Sequence, residues 1–347
     1  MCAILFAFGC GAPNTPILGC DSSTSVAVQC GFQNPEDMVV DPWGGGLVVS
    51  QMGSMDGSSP GNLLWSQLPD GHREVVFPVA HDDQRLWGAG DCPPPDPVAF
   101  APHGVDLEQR ADGRWMLAAV NHGLRESVEL FELIQTGKGV ALEWRGCALG
   151  PENAYFNDVV LRRDGGFWVT HMMPRDGGTW AMVQSLFGRD LGFVYQWHHQ
   201  LGFSKVRGSR GAFPNGLEKS ADEQFLFVNL YMDNEVRKLD LSSGRVVASA
   251  AMASPDNSSW SDSGQLLVAS QTSGLLGMMS CQDVPEGNCG NPYQIVALDS
   301  DDLSQRTLLD HRGGAPMGGV TVALEHDARL YLGTFAGDRI GMIAVEK

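Results

Sequence analysis

The chain has 347 residues, of which 43% are hydrophobic, with 43 glycines, 19 prolines and a formal net charge of −18. This length suits one large all-β domain or two ordinary domains, and the hydrophobic content excludes a globally disordered chain. The acidic balance argues against a nucleic-acid partner, because phosphate binding needs surfaces rich in Lys and Arg, and it suits a cation.

The N-terminus, MCAILFAFGC, is apolar, lacks a basic region and is too short to span a bilayer. We expect residues 1–22 to be a separate segment, the remnant of an export signal or of a lipoprotein signal with Cys10 as the lipid acceptor. The eight cysteines form no zinc pattern. Cys281 and Cys289 bracket a short polar loop and could form a disulfide, which fits a periplasmic or extracellular protein.

Six pairs of residues recur along the rest of the chain, each about ten to twelve residues before an apolar strand. These pairs are Glu36-Asp37, His103-Gly104, Asn157-Asp158, Asn215-Gly216, Asp256-Asn257 and Gly318-Gly319. A third strand follows in every copy and a fourth in the first five. A unit of about four strands repeated every 40–60 residues is typical of a β-propeller. The sequence therefore predicts an all-β, six-bladed propeller over residues 23–347, in which the N-terminal run STSVAVQC supplies the missing strand of the last blade.

The first strand of each propeller blade lines the central channel, so the pairs should converge on one mouth. Asn215 is thus better interpreted as a channel residue than as part of an Asn-Gly hairpin turn. Carboxylate and amide oxygens in this number suit Ca²⁺, which takes six to eight oxygen ligands at about 2.3–2.6 Å. The predicted ligands are Glu36, Asn157, Asn215, Asp256 and Asn257. The alternative for any one pair is a turn former or a cap at the start of a strand.

Two further pairs of residues complete the predicted site. Asp37 and Asp158 should point the other way along the pleat or deeper into the channel, where two buried carboxylates would repel unless a second, structural Ca²⁺ lay between them. His103 belongs to the second pair, and His122 ends the next strand of the same blade. The two histidines could meet beside the metal.

These motifs resemble the paraoxonase/arylesterase family of calcium-dependent six-bladed propellers, within the gluconolactonase and senescence-marker-protein superfamily. The resemblance covers about Gln33 to Val345 through EDMVV, PHGV, AVNHGLRESVELFEL, FNDVV, FPNGL, PDN and LYLGTF, in that order. It implies that the first five ligands hold a catalytic calcium and that Asp37, Asp158 and the carbonyl of Val105 hold a structural calcium. It also implies that His103 and His122 form a catalytic dyad and that Phe213 is an aromatic wall of the active site.

The chain departs from that family at several places. No cysteine follows Cys289, so the family's bridge between N- and C-terminal segments has no counterpart. Met172-Met173 stands where paraoxonases carry an Asp-His pair, and GGFWVTHMMP is closer to the gluconolactonase branch. The long hydrophobic anchor of the animal enzymes is missing.

The predicted activity is calcium-dependent hydrolysis of lactones, with aryl esters as side substrates. His103 would be the general base and His122 its supporting residue, although a metal-ligating carboxylate such as Glu36 or Asp256 could activate water instead. The partner is then a small lactone or ester, with no nucleic acid and no membrane-spanning segment. Two rivals remain open: a gluconolactonase-type sugar lactonase, and a non-catalytic propeller that binds a partner and uses calcium for stability.

Overall fold

The computed structural model describes residues 15–53, 59–69, 71–78, 87–282 and 284–345. Within these residues the strands form six antiparallel sheets of four strands each. Blade one contains β2 (Pro35–Val40), β3 (Gly46–Gln51), β4 (Asn62–Gln67) and β5 (Arg73–Phe77). Blade two contains β6 (Pro102–Gln109), β7 (Trp115–Asn121), β8 (Ser127–Gln135) and β9 (Val140–Leu149). Blade three contains β10 (Phe156–Leu161), β11 (Phe167–His171), β12 (Phe193–His198) and β13 (Gly202–Lys205).

The second half of the chain repeats this order. Blade four contains β14 (Pro214–Lys219), β15 (Phe225–Leu230), β16 (Glu235–Asp240) and β17 (Arg245–Ala251). Blade five contains β18 (Pro255–Trp260), β19 (Leu266–Ser270), β20 (Tyr293–Leu298) and β21 (Gln305–His311). Blade six contains β22 (Val320–His326), β23 (Arg329–Thr334), β24 (Arg339–Ala344) and the N-terminal β1 (Ala27–Cys30). A 3₁₀ turn (Arg175–Gly177) leads into α1 (Gly178–Leu186), and α2 (Gly274–Ser280) follows β19.

The blades form a closed ring. First strands of consecutive blades contact one another all the way round, from β2 and β6 to β22 and β2. Second strands such as β3, β11 and β19 are buried at every position, which explains their continuous apolar sequences. Between first and second strands the chain reverses at Gly113 and Gly165, whose φ values of +85° and +84° favour glycine. The predicted six-bladed propeller is confirmed.

Closure is achieved as predicted, by the N-terminal strand. β1 runs antiparallel to β24, with Ala27 opposite Met342 and Cys30 opposite Arg339. The Arg339 side chain is fully buried and donates to the carbonyl oxygens of Gly19 (2.6 Å), Ile17 (2.8 Å) and Pro316 (2.8 Å). One guanidinium on β24 therefore holds the segment before β1 against the last blade.

Each first strand contains a β-bulge at the same level. In β2, Pro35 pairs with Gln51 but Asp37 pairs with Ser50, so one residue is added on the first strand. The same one-residue shift occurs at the equivalent place in β6, β10, β14, β18 and β22. A bulge bends the strand and re-aims its side chains, and bulges are common next to functional sites. All six polar positions thus share one local geometry.

Three disulfides stabilise the described residues: Cys20–Cys30, Cys92–Cys147 and the predicted Cys281–Cys289. Such bonds form and persist in oxidising compartments, which indicates an exported protein. The predicted lipid acceptor Cys10 lies outside the described residues. No helix in the described ranges is long and apolar enough to cross a membrane.

We expect Arg339→Ala to lower the free energy of unfolding by about 3 kcal/mol, because three backbone carbonyls, of which that of Pro316 is buried, lose a charged donor. The change should be measured by denaturant unfolding at saturating calcium. The control is Arg329→Ala on the same blade, where the residue is exposed and a change within about 0.5 kcal/mol is expected. An equal effect of both substitutions would contradict the closing role of Arg339.

Candidate active site at the channel mouth

The bulges direct six side chains into one cavity of about 130 Å³. We call these residues the inner ring: Glu36, His103, Asn157, Asn215, Asp256 and Thr321. Four of the five predicted calcium ligands belong to it, together with the predicted base. The fifth ligand, Asn257, is one residue further along β18 and reaches the cluster by donating from Nδ2 to Glu36 Oε1 at 2.8 Å.

In blade six, the inner-ring position belongs to a different residue from the predicted pair. The sequence placed Gly318-Gly319 in that register, but these residues precede β22, whose bulge lies between Val320 and Val322. Thr321 occupies the inner-ring position and donates from Oγ1 to the Glu36 carbonyl at 2.6 Å. The two glycines misled the alignment because the sixth position carries neither an acid nor an amide.

Direct contacts connect the inner-ring side chains. His103 Nε2 lies 3.6 Å from Glu36 Oε1 and 3.3 Å from Asn157 Nδ2. On the other side of the cavity, the Asn215 amide and Gln271 Nε2 both donate to the Asp256 carboxylate. The predicted ligands from four blades therefore lie in one polar cluster.

Four of the predicted ligands have a buried oxygen with no hydrogen-bond partner: Glu36 Oε2, Asn157 Oδ1, Asn215 Oδ1 and Asn257 Oδ1. Buried polar atoms are normally satisfied, and leaving one unpaired costs about 1–3 kcal/mol. Four such oxygens in one cluster, next to the Asp256 carboxylate, form a donor set of hard oxygens. This set fits Ca²⁺, which binds carboxylate and amide oxygens together.

No group of three or more His, Cys, Asp or Glu side chains in the described ranges is arranged to hold a metal ion. The predicted calcium cluster differs from such a group, because two of its five oxygen donors are carboxylates and three are amides. Its fit to a cation therefore depends on the unpaired oxygens.

Three carboxylates at the channel have raised pKa values. Burial, with Asp37 and Asp256 nearby, raises the pKa of Glu36 well above its usual value. Burial also raises the pKa of Asp256 to about 8 and that of Asp37 to about 7. Without a cation these groups gain a proton more readily than ordinary acids, since the charged form is poorly solvated.

The predicted ligands of a structural calcium lie beyond the bulges, away from the inner ring. Asp37 and Asp158 line a second cavity of about 420 Å³. Burial and the charge of Asp37 raise the pKa of Asp158 well above its usual value. Each carboxylate also accepts two backbone N–H groups, including that of Val105 on Asp37 Oδ2 at 2.8 Å and that of Leu217 on Asp158 Oδ2 at 2.7 Å. Val105 thus contacts Asp37 through its N–H, and the predicted role of its carbonyl stays a prediction.

The two predicted catalytic histidines are in contact. The start of β6 pairs with the end of β7, which places His103 and His122 side by side. His103 Nδ1 lies 2.9 Å from His122 Nε2, and the rings are nearly perpendicular. Burial and the neighbouring His122 hold the pKa of His103 well below its usual value. The His103 ring is therefore neutral at neutral pH, as a general base must be.

A second layer of side chains surrounds the inner ring. Its members, which we call the outer ring, each follow the last residue of a second strand: Met52, His122, Met172, Tyr231, Gln271 and Phe335. Five of them line the 130 Å³ cavity, and His122 lines an adjoining groove of about 600 Å³. The sequence analysis found His122 and Met172 here but missed the other four. The repeat could have identified these four residues, because all six outer-ring residues occupy the same position in their blades.

The predicted wall residue Phe213 lies on this apolar layer. It is 7% exposed, has a φ of +60°, and its ring centroid is 5.8 Å from that of Tyr231. Phe213, Tyr231, Met172 and Met173 form a buried apolar cluster with Ala181 of α1. The cavity thus has a polar floor and an apolar wall.

Glu126 is a further residue that the sequence analysis did not single out. It lies in the turn between β7 and β8, with a side chain that is 6% exposed. Its Oε1 accepts from His122 Nδ1 at 2.9 Å, and its Oε2 accepts from Arg175 Nη1 at 2.5 Å. The NHGLRES segment contained Glu126, but only the folded turn brings the carboxylate back onto His122.

Solved structures of low sequence identity share this fold. A gluconolactonase from Xanthomonas campestris is 17% identical, with 96% of this chain and 98% of that chain covered and a TM-score of 0.53. A luciferin-regenerating enzyme is 14% identical, with 92% and 95% covered and a TM-score of 0.51. Regucalcin from Agrobacterium tumefaciens, a calcium-binding protein, is 13% identical, with 96% and 95% covered and a TM-score of 0.50. No protein-family model and no curated protein matches the sequence, so the likeness is one of fold.

We expect calcium to stabilise the protein increasingly as the pH rises from 5 to 8.5. In the metal-free fold Asp37 and Asp256 keep protons up to pKa values of about 7 and about 8, whereas an unfolded Asp loses its proton near pH 3.9. The metal-free fold therefore binds more protons than the unfolded chain, so its stability falls as pH rises through this window. Calcium needs the ionised carboxylates and should offset that loss.

The measurement is the melting temperature with EDTA and with calcium chloride across this range. Asn215→Ala provides a matched test, because it removes a predicted calcium ligand that does not titrate. The rise in melting temperature on adding calcium should become smaller, while most of the pH dependence of the metal-free melting temperature remains. A metal-free melting temperature that stays flat or rises between pH 5 and 8 would contradict this interpretation.

Proposed function

We propose that this protein is a calcium-dependent hydrolase of lactones with an apolar substituent, with aryl esters as side substrates. The observation that supports this most strongly is the set of unpaired buried oxygens on Glu36, Asn157, Asn215 and Asn257, beside a histidine that is neutral at neutral pH. A hard-cation site next to a general base is a combination that supports ester hydrolysis.

Glu36, Asn157, Asn215, Asp256 and Asn257 would hold the ion. When bound, calcium supplies the Lewis acidity that polarises the ester carbonyl and stabilises negative charge on its oxygen. His103 Nε2 faces the same cavity and takes a proton from water as the water oxygen adds to the carbonyl carbon. His103 then gives that proton to the ring oxygen as the C–O bond breaks, which yields the hydroxy acid. His122 holds the His103 ring in place through the contact between His122 Nε2 and His103 Nδ1.

The walls favour an apolar substrate over a sugar. Met172, Met173 and Phe213 are all at most 7% exposed and line the cavity. Methionine side chains are flexible and polarisable, so they adapt to apolar groups of different shapes. The small cavity suits the reacting ring, and the adjoining groove, which shares Met52, Tyr155 and Met182 with it, can take a longer substituent.

The second candidate is a sugar lactonase. It is supported by the fold shared with the Xanthomonas campestris gluconolactonase. A sugar lactone presents several hydroxyl groups, however, and these need hydrogen-bond partners that a methionine-rich wall lacks. A non-catalytic propeller is disfavoured by the contact between His103 and His122, which a purely structural metal site does not need.

A panel of lactones tests the activity and the substrate class together. We expect aliphatic lactones with long substituents to have a higher kcat/KM than a sugar lactone. EDTA should abolish turnover and added calcium should restore it. A preference for the sugar lactone would support the second candidate. An absence of turnover on every substrate at saturating calcium would refute the lactonase proposal.

His103→Gln separates base catalysis from metal binding. Glutamine keeps a hydrogen bond but accepts no proton near neutral pH, so kcat for an aliphatic lactone should fall by about 10²–10⁴-fold. Calcium affinity, measured by calorimetry, should stay nearly unchanged. His122→Gln should cause a smaller loss of kcat. If the His103 variant keeps most of its rate, a metal-ligating carboxylate such as Glu36 is the better candidate for the base.

A further inference from the structure

The proposed function leaves unexplained a buried carboxylate behind the two histidines. Glu126 Oε1 accepts from His122 Nδ1 at 2.9 Å and also from the backbone N–H of Phe156 at 2.6 Å. Its Oε2 accepts from Arg175, whose guanidinium is 43% exposed and also donates to the His122 carbonyl. A charged carboxylate is thus held by three donors directly behind the histidine pair.

The hydrogen-bond chain determines which ring nitrogens carry protons. An ionised carboxylate only accepts hydrogen bonds, so His122 must carry its proton on Nδ1. With its single ring proton on Nδ1, His122 presents a lone pair on Nε2, and His103 donates to it from Nδ1, 2.9 Å away. This leaves the lone pair of His103 on Nε2, where Asn157 Nδ2 lies 3.3 Å away as a possible donor. The opposite tautomers would place a hydrogen on the nitrogen that faces the cavity.

We propose that Glu126 is a positioning residue for the His103–His122 pair. Its carboxylate fixes the Nδ1–H tautomer of both rings and so turns the basic nitrogen of His103 toward the substrate cavity. This inference rests on the proposed function for its catalytic consequence, whereas the tautomers themselves are a property of the folded chain. Hydrogen bonds behind a functional histidine set its tautomer and ring orientation in this way.

The same carboxylate supports the charged state. When His103 Nε2 takes a proton from water, the proton on His103 Nδ1 can pass to His122 Nε2, which leaves His103 neutral and His122 as an imidazolium. The positive charge then lies next to Glu126. The reverse transfer returns a proton to His103 Nδ1, and His103 Nε2 then gives its proton to the leaving oxygen. Over the full cycle the pair gains one proton from water and gives up one proton to the leaving oxygen.

A double-mutant cycle tests this role. Glu126→Gln removes the charge but keeps the length and one acceptor oxygen, so kcat for an aliphatic lactone should fall by about 10–100-fold with little change in KM. In a His122→Gln background the same substitution should leave kcat nearly unchanged, because Glu126 acts through that ring. Equal losses in both backgrounds, or no loss in the parent, would overturn the proposal.

Two further variants exclude a structural explanation. Arg175→Gln breaks the same ion pair but leaves the carboxylate on His122, so its loss of kcat should be clearly smaller than that of Glu126→Gln. If the two losses are equal, the ion pair rather than the carboxylate matters, and the proposal is wrong. Glu152→Gln, an exposed glutamate in the neighbouring loop, controls for the chemistry of the substitution.

A spectroscopic measurement tests the tautomers without any substrate. In ¹⁵N-histidine-labelled, calcium-loaded protein, two-bond proton–nitrogen correlations should assign the Nδ1–H tautomer to both His103 and His122. An Nε2–H tautomer at His103 would overturn the proposal. If the parent protein hydrolysed no lactone, the proposed function would fail, but this spectrum would still decide the arrangement of the histidines.

Discussion

The whole site depends on the β-bulge that recurs at one level of every first strand. The added residue bends the strand and re-aims its side chains at that level. There Glu36, Asn157, Asn215 and Asp256 enter one cavity, while the next residues Asp37 and Asp158 line another. Two adjacent acids in the sequence therefore serve two separate cavities.

Placing several acids at the centre of the ring opposes its closure, because negative charges there repel one another. Glu36, Asp37, Asp158 and Asp256 come from three blades, and the charge of one raises the pKa of another. The ring is closed at the last blade, where β1 pairs with β24 and Arg339 binds the carbonyls of Ile17 and Gly19. Glycine allows the first strands to approach closely at the channel, since a Cβ at Gly104 would lie 2.6 Å from Asp158 Cα. Close packing of the first strands therefore brings these acids together.

The repeat made much of the fold predictable. Spacing of the polar pairs indicated six blades, and the lack of a fourth strand in the last copy indicated that the N-terminal run closes the ring. The spacing did not determine the register of blade six. The bulge in β22 places Thr321, and not Gly318-Gly319, at the inner-ring position. The Cys20–Cys30 and Cys92–Cys147 bonds were missed because pairing depends on distances in the fold rather than on spacing. Glu126 was missed for the same reason, since its partner His122 is reached only by folding of the turn.

The two rings of side chains divide the chemistry of the site. Inner-ring residues lie on first strands, whose places are fixed by the six-bladed fold, and they include the clustered oxygens and His103. Outer-ring residues begin the connections to the third strands, two of which contain α1 and α2 and contribute Met182 and Met278 to the wall. Connections vary more readily than the strands that they join. Structures that share only the fold can therefore share the position of the channel mouth and still differ in the molecules that enter it. The methionine-rich wall of this chain, rather than the fold, indicates the class of substrate.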